Sequence, residues 1–249
     1  MKKEILELFI KKYNLSDIIT KVKLRYNPTS KTLHARACAD NRAFLADVIL
    51  NDFDAFGDLD AIICIGDTDK VQRMLAPFGS DITLSINQVG DRVLGFSITD
   101  TNCESYCSAA DPISIDAVPK NLDAVPDPEV IVKLSDDLVS KFLKSKAALA
   151  KDGDTFAVGM NKKGLFEIVF GYLTSNSNKI RITPETDAIK NKVEKSMQFP
   201  IKNIAEVLKS NTDMDDGTLS INNDGIIHLS FKNEKFTCNY YQFANKPKI

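Results

Sequence analysis

One stretch of the chain occurs twice. Thr83–Ala109 (TLSINQVGDRVLGFSITDTNCESYCSA) returns as Thr218–Ala244 (TLSINNDGIIHLSFKNEKFTCNYYQFA), in one unbroken register from the first residue to the last. Eleven of the 27 aligned positions are identical: the run Thr83–Asn87 together with Gly90, Leu94, Phe96, Cys103, Tyr106 and Ala109. Chance gives roughly two at ordinary composition. Self-similarity at a fixed offset is the mark of one architecture used more than once. The 249 residues therefore divide into two copies of one unit, each of about 120 residues.

The order of elements supports the duplication. Glu4–Tyr13 carries an apolar stripe (Ile5, Leu6, Phe9, Ile10, Tyr13) at helical spacing. Strands are expected within Asp17–Leu50, with a turn at Asn27-Pro28, and at Ala61–Ile65. A short helix follows at Thr68–Ala76, stopped by Pro77 and Gly79, and the repeated strands close the first half. In the second half a strand is expected at Glu129–Leu134. A helix at Ser135–Ala150 has Ser135 as N-cap, and its Leu138, Val139, Phe142 and Leu143 repeat the spacing of Ile5, Leu6, Phe9 and Ile10. Strands are expected at Thr155–Met160, Leu165–Leu173 and Lys179–Thr183. Asp187–Lys195 reads as a loop or short helix, and Phe199–Ser210 as a helix with Pro200 in its first turn. Between the halves, Ala110–Pro128 holds four prolines and four aspartates with no period, which makes it a linker. The expected domains are residues 1–109 and 129–249, joined by the connector 110–128. The fold class is α+β, with the helices of each half on one face of antiparallel sheets.

Several kinds of chemistry find no motif. There is no GxxxxGK[ST] loop and no GxGxxG after a strand. His34 and His228, the two histidines, sit in alternating strand patterns, and no nucleophile motif accompanies them. Cys103 and Cys107 fall on one face of a strand rather than in a paired metal knuckle. Five scattered cysteines suit a reducing cytoplasm rather than a disulfide framework. KKEILELFIKKY after Met1 is charged and amphipathic, unlike a signal peptide. No apolar run approaches membrane-spanning length, so no membrane association is expected. Asp52, Asp54, Asp58 and Asp60 are spaced so that they could hold a hard cation, but they also suit a solvated acidic loop. A metal-dependent enzyme built on them is one alternative reading. No cofactor is expected, and the leading reading is not enzymatic.

The helices are more informative. Away from its apolar stripe the first carries Lys11 and Lys12, the second Lys70 and Arg73. The third carries Lys141 and Lys144 with Lys146 nearby, and the fourth Lys202 and Lys209. If the four helices share a face, these cations form one basic surface. A net charge of −2 then requires the remaining surface to be acidic. That asymmetry suits a phosphate backbone held on one side and excluded from the other.

The chain resembles the DNA sliding clamps, the processivity factors of DNA polymerases. Within them it is most similar to the T-even-type bacteriophage clamp, which shares the proliferating-cell-nuclear-antigen-like fold. The residues that carry the likeness are Tyr106–Pro112 (YCSAADP), the helix and strands of Ile65–Asp100, and the run from Phe199 through the final strands. The resemblance implies a duplicated clamp fold, with sheets outside and helices on the inner face. It implies a non-enzymatic homotrimer of two-domain subunits around duplex DNA, contacted without reading sequence. Implied partners are the replicative polymerase, a clamp loader and late-transcription factors, in the cytoplasm of an infected bacterium. It places Cys103, Ser105, Tyr106 and Cys107 at the subunit interface, against Lys179, Ile180 and Ile182 of a neighbour. A pocket for partner peptides would involve Pro112, Ile113, Ile115, Val118 and Leu122 of the connector. The chain departs from the phage pattern in longer segments at 183–197 and 51–60, in having no tryptophan, and in Cys107 where an aromatic is usual. A monomeric DNA-tethering or scaffold protein of the same fold is the second alternative.

Overall fold

The computed structural model describes residues 1–90, 92–115, 127–151, 153–171, 178–189, 193 and 196–245. The chain forms two compact units: Met1–Pro119 with Asn233–Cys238, and Lys120–Lys232 with Asn239–Ile249.

In the first unit, α1 (Lys3–Asn14) buries Leu6, Phe9, Ile10 and Tyr13, one face at i, i+3, i+4 and i+7. Each such side chain taken out of water contributes about 1.5–3 kcal/mol, and the Phe9 and Tyr13 rings meet edge to face at 5.4 Å. The helix ends where Leu15, Ser16 and Asp17 turn left-handed, at φ of 54°, 54° and 65°. Three consecutive non-glycine residues in that region need support, and the buried Asn14 supplies it. Its amide donates to the Ile19 carbonyl at 2.9 Å and its Oδ1 accepts from the Asp17 N–H at 3.0 Å. Strands β1 (Val22–Asn27), β2 (Thr32–Cys38), β3 (Phe44–Leu50) and β4 (Ala61–Ile65) follow. They pair antiparallel in the order β3-β2-β1-β4, with alternate side chains buried along β1 and β2. Beside β3 lie residues 236–238, the start of β16 (Phe236–Phe243). Helix α2 (Thr68–Leu75) is capped by the Asp67 carboxylate, which accepts from Lys70 N–H at 2.9 Å, and packs on α1. A second sheet is the meander β5 (Thr83–Val89), β6 (Arg92–Thr99), β7 (Glu104–Ser108). The turn before β7 is held by Asp100, whose carboxylate accepts from the N–H groups of Gly79, Asn102 and Cys103, which pulls its pKa down.

The second unit repeats this order. After β8 (Val130–Lys133), helix α3 (Asp136–Ala148) is capped by Ser135 Oγ. Strands β9 (Thr155–Met160), β10 (Phe166–Phe170), β11 (Ile180–Ile182) and β13 (Met197–Pro200) form the sheet β11-β10-β9-β13. Helix α4 (Ile201–Ser210) packs on α3, and β14 (Asp216–Ile221) and β15 (Ile226–Lys232) lead to β16 in the order β8-β14-β15-β16. Phe142, Phe156, Phe170 and Phe199 form its aromatic core, with centroids 5.0–6.0 Å apart. Two buried amides tie α4 to β16: Asn203 Nδ2 donates to Gln242 Oε1 at 2.7 Å and Asn211 Nδ2 to Tyr240 Oη at 3.0 Å.

The duplication is thus strand for strand. β1 to β4 correspond to β9, β10, β11 and β13 in the same sheet order, and β5 to β7 correspond to β14 to β16. The counterpart of β8 in the first unit shrinks to a single bridge between Lys2 and Asp81. Two expectations need correction. Part of the segment expected as loop or short helix is strand β12 (Thr186–Ile189), paired with β8 through an irregular register. Its partner is a free edge far earlier in the sequence, beyond α3 and three strands, so local propensity carries no sign of it. Pro200 is the N-cap of α4 and the last residue of β13, not a first-turn residue.

Candidate nucleic-acid interface

The nine helix cations fall into three groups. Lys11 on α1, Lys70 on α2, Lys144 on α3 and Lys202 on α4 are exposed and have no ion-pair partner among the described residues. A second group leans on acids of its own unit. Arg73 pairs with Asp69 and Lys141 with Asp137, each one turn back along the helix. Lys146 and Lys209 share Glu206, at 3.6 and 2.9 Å. Such surface pairs contribute about 0–1 kcal/mol, so these cations remain available to an outside anion at small cost. Lys12 stands alone: it is wholly buried, its Nζ 5.1 Å from the centre of the Phe236 ring. It belongs to the core of the first unit and is not a surface cation, contrary to its assignment from helical spacing. Position 12 flanks the stripe beside Phe9, on the side away from Tyr13, and the strand start at 236 covers it.

The edge strands are the second feature. Among the described residues, β7 pairs only with β6, and β11 only with β10. On β7, Tyr106 is 49% exposed, Ser105 Oγ is buried without a hydrogen-bond partner among the described residues, and Cys107 is buried. Tyr106 Oη donates to the Leu94 carbonyl at 3.0 Å, and Leu94 is itself 41% exposed. The repeat gives the contrast: Leu229, the counterpart of Leu94, is fully buried. On β11, Ile182 is buried, Ile180 half-buried and Lys179 just before it exposed.

Along the connector, Asp111 caps a single 3₁₀ turn, Pro112–Ser114. Pro112 and Ile113 are exposed, Ile113 at 93%, whereas Ile115 is buried and anchors the segment. Val118 and Leu122 lie outside the described residues. The histidines join neighbouring strands. His34 Nε2 is 2.6 Å from Asp47 Oδ1, and Arg36 Nε is 3.2 Å from the same carboxylate. His228 meets Asn239 Oδ1 at 3.0 Å and stacks on Tyr241, and burial pulls its pKa down. Asp52 is ion-paired with Lys235 at 3.2 Å, and no group of three or more metal-ligating side chains comes together among the described residues. No helix there is long and apolar enough to cross a membrane.

Sequence reasoning missed one charged surface. Net charge alone predicts an acidic sheet face away from the helices. On β1 and β2, however, the residues alternating with the core are Lys23, Arg25, His34 and Arg36, with Asp47 as the acid on β3 beside them. The alternation along KVKLRY carried this signal, since every second residue after Val22 is basic.

Two α+β units of this kind, each with its helices against antiparallel sheets, define the duplicated fold of the DNA sliding clamps. Among solved structures, the chain is similar to the Proliferating Cellular Nuclear Antigen from Entamoeba histolytica, with TM-score 0.73, 16% identity, and coverage of 98% of this chain and 96% of that one. It is also similar to A. fulgidus PCNA in its complex with the C-terminal region of FEN-1, with TM-score 0.70, 16% identity, and coverage of 100% and 98%. No protein-family model matches the chain. No curated protein matches it.

Proposed function

We propose that this chain is a DNA sliding clamp without catalytic activity, acting as a head-to-tail ring of three copies around duplex DNA. The observation that carries the reading is the pair of open edges. Inside the first unit the start of β16 lies beside β3. By the duplication, β16 corresponds to β7 and β3 to β11. The edges of β7 and β11 are therefore built to the same pattern as a pair that the chain already forms. A second copy would set its β11 along β7 and join the three-stranded and four-stranded sheets into one. Such an interface is heterologous, and it ends in a ring if the rotation closes. It would also cover Leu94 and Tyr106, and remove two edges that invite aggregation.

The exposed lysines of the four helices fit the lumen of such a ring. They attract phosphates from mobile side chains and read no bases, which permits sliding. Binding of a partner's peptide is supported by the A. fulgidus PCNA complex with the C-terminal region of FEN-1. The polymerase, clamp-loader and late-transcription partners, and a phage origin, rest on the sequence resemblance. The domain limits 1–109 and 129–249 belong to the same proposal. The test is molar mass by light scattering over a concentration series. A ring of three has three times the 27.6 kDa mass of one chain. A mass that stays at one chain at every concentration refutes the self-assembled ring and favours a monomeric DNA-tethering protein.

A further inference from the structure

β4 is the outermost strand of the first unit's larger sheet, with β1 along one edge. On its other edge the Cys64 carbonyl accepts from the Ala110 N–H at 2.8 Å. Alternate residues of an antiparallel strand turn their N–H and C=O groups to the same side. Those of Ile62 therefore face this edge too, and no described residue pairs with them. The Ile62 side chain is 55% exposed. Across from it stands the β5–β6 hairpin, where Val89 is 70% exposed. Between them lies a cavity of about 550 Å³ lined by Ile62, Val89, Val93 and Pro112. A second cavity of about 410 Å³ shares Ile62 and Val93 with it. Among the described residues the groove is cationic: Lys23 and Arg92 line the first cavity and Arg25 the second, while Asp60 is the one described acid lining either. None of the three cations has an ion-pair partner among the described residues.

We propose that this groove docks an extended, acidic segment of a partner protein. The segment adds as a strand along β4 where Ala110 leaves it. Main-chain hydrogen bonds to Ile62 supply attachment and alternate side chains supply choice. Its apolar side chains cover Ile62, Val89 and Val93, and its carboxylates meet Lys23, Arg25 and Arg92. A basic groove alone would serve a phosphate backbone equally well. The apolar lining and the free strand edge favour a peptide. Every described lining residue belongs to one unit, so the site depends neither on ring closure nor on DNA. Its failure leaves the clamp reading untouched.

The test uses the full-length chain and fluorescein-labelled ten-residue peptides of alternating Asp and Val, or alternating Lys and Val, followed by anisotropy. The acidic peptide is expected to bind and the basic one not. The triple variant Lys23→Glu/Arg25→Glu/Arg92→Glu is expected to weaken binding at least tenfold, roughly the product of three exposed charge pairs removed together. Ile62→Asp is expected to weaken it as well. Lys144→Glu/Lys202→Glu should leave it unchanged. Circular dichroism and molar mass of each variant should match those of the starting protein. The proposal is overturned if the two peptides bind alike, if the triple variant keeps its affinity, or if no acidic peptide binds at concentrations up to about 1 mM. An unlabelled duplex oligonucleotide that displaces the acidic peptide, and whose own binding the triple variant loses, would reassign the groove to nucleic acid.

Discussion

Gly95 is a position where a single methyl group should cost much for its size. It sits in β6 opposite Ser108 of β7. A Cβ placed there would stand 2.3 Å from the Cys107 carbonyl oxygen and 2.8 Å from Tyr106 Oη. The first obstacle is main chain, so no rotamer change relieves it, and β6 and β7 must move apart by about an ångström to restore contact distance. Replacing glycine by alanine restricts the unfolded chain and favours folding by about 0.4–1 kcal/mol. Overpacking a closed site costs about 1–3 kcal/mol. The Tyr106 hydrogen bond to Leu94, which spans the same gap, contributes about 1 kcal/mol more. The clash wins, and Gly95→Ala should lose about 1–3.5 kcal/mol, a fall of roughly 2–4 °C in Tm per kcal/mol for a chain of this size. The duplicated position is Ser230, which carries a Cβ without difficulty. Ser230→Ala should change stability by no more than about 0.5 kcal/mol. Urea denaturation followed by far-ultraviolet circular dichroism reads both. An alanine at 95 as stable as glycine would refute the close-approach argument. Because β7 is the proposed joining edge, the same variant should also raise the protein concentration at which the trimer forms.

The helix cations separate by salt dependence. Lys144→Glu/Lys202→Glu should flatten the slope of log K against log salt for duplex binding by about 0.9 for each phosphate that is no longer neutralised. Lys12→Ala should leave that slope alone and lower thermal stability instead, because it empties space inside the core; a reversed pattern would undo the assignment. Burial holds the His228 pKa below its ordinary 6.5. The unfolded chain then takes up a proton that the folded one refuses, so stability is full above pH 6.5 and falls as pH drops below it. His228→Gln should flatten that fall in urea midpoints measured from about pH 5 to 7. Burial also raises the thiol pKa of Cys64 and Cys107. Timed iodoacetamide alkylation with mass spectrometry should therefore find Cys38, which is only half-buried, modified ahead of both.

What could be read in the sequence followed from how local each feature is. The repeat identified the architecture because its strands lie next to one another in chain order, so hairpin pairing preserves the pattern that the eye finds in the letters. Helices α1 and α3 were legible from stripes at 3.6 spacing, and Ser135 from its place before one of them. β12 was not, since what makes TDAI a strand is the open edge of β8. Lys12 was misplaced because helical periodicity assigns faces against a single sheet, and the start of β16 covers a second side of α1. The groove beside β4 was invisible for a similar reason: Lys23, Ile62 and Arg92 come from three segments that only the sheet order brings together. The split of the remaining helix cations into free and paired was partly available, since Asp69 and Asp137 stand one helical turn before Arg73 and Lys141.

The open β7 edge has a consequence for how variation can accumulate. Residues where β16 begins beside β3 meet partners encoded on the same molecule, at an effective concentration fixed by the fold. A change there is matched or lost in cis. In the proposed ring the edges of β7 and β11, built to the same plan, would meet only another copy, at whatever concentration the cell maintains. In a mixed population of two alleles a change in β7 would therefore confront both the old and the new β11, so the two edges could diverge only by steps that each neighbour tolerates. Of two halves that began alike, each would thus keep one edge under the constraint of recognising its own kind, β7 in the first and β11 in the second, while the full burial of Leu229 beside the exposure of its counterpart Leu94 marks where the halves differ.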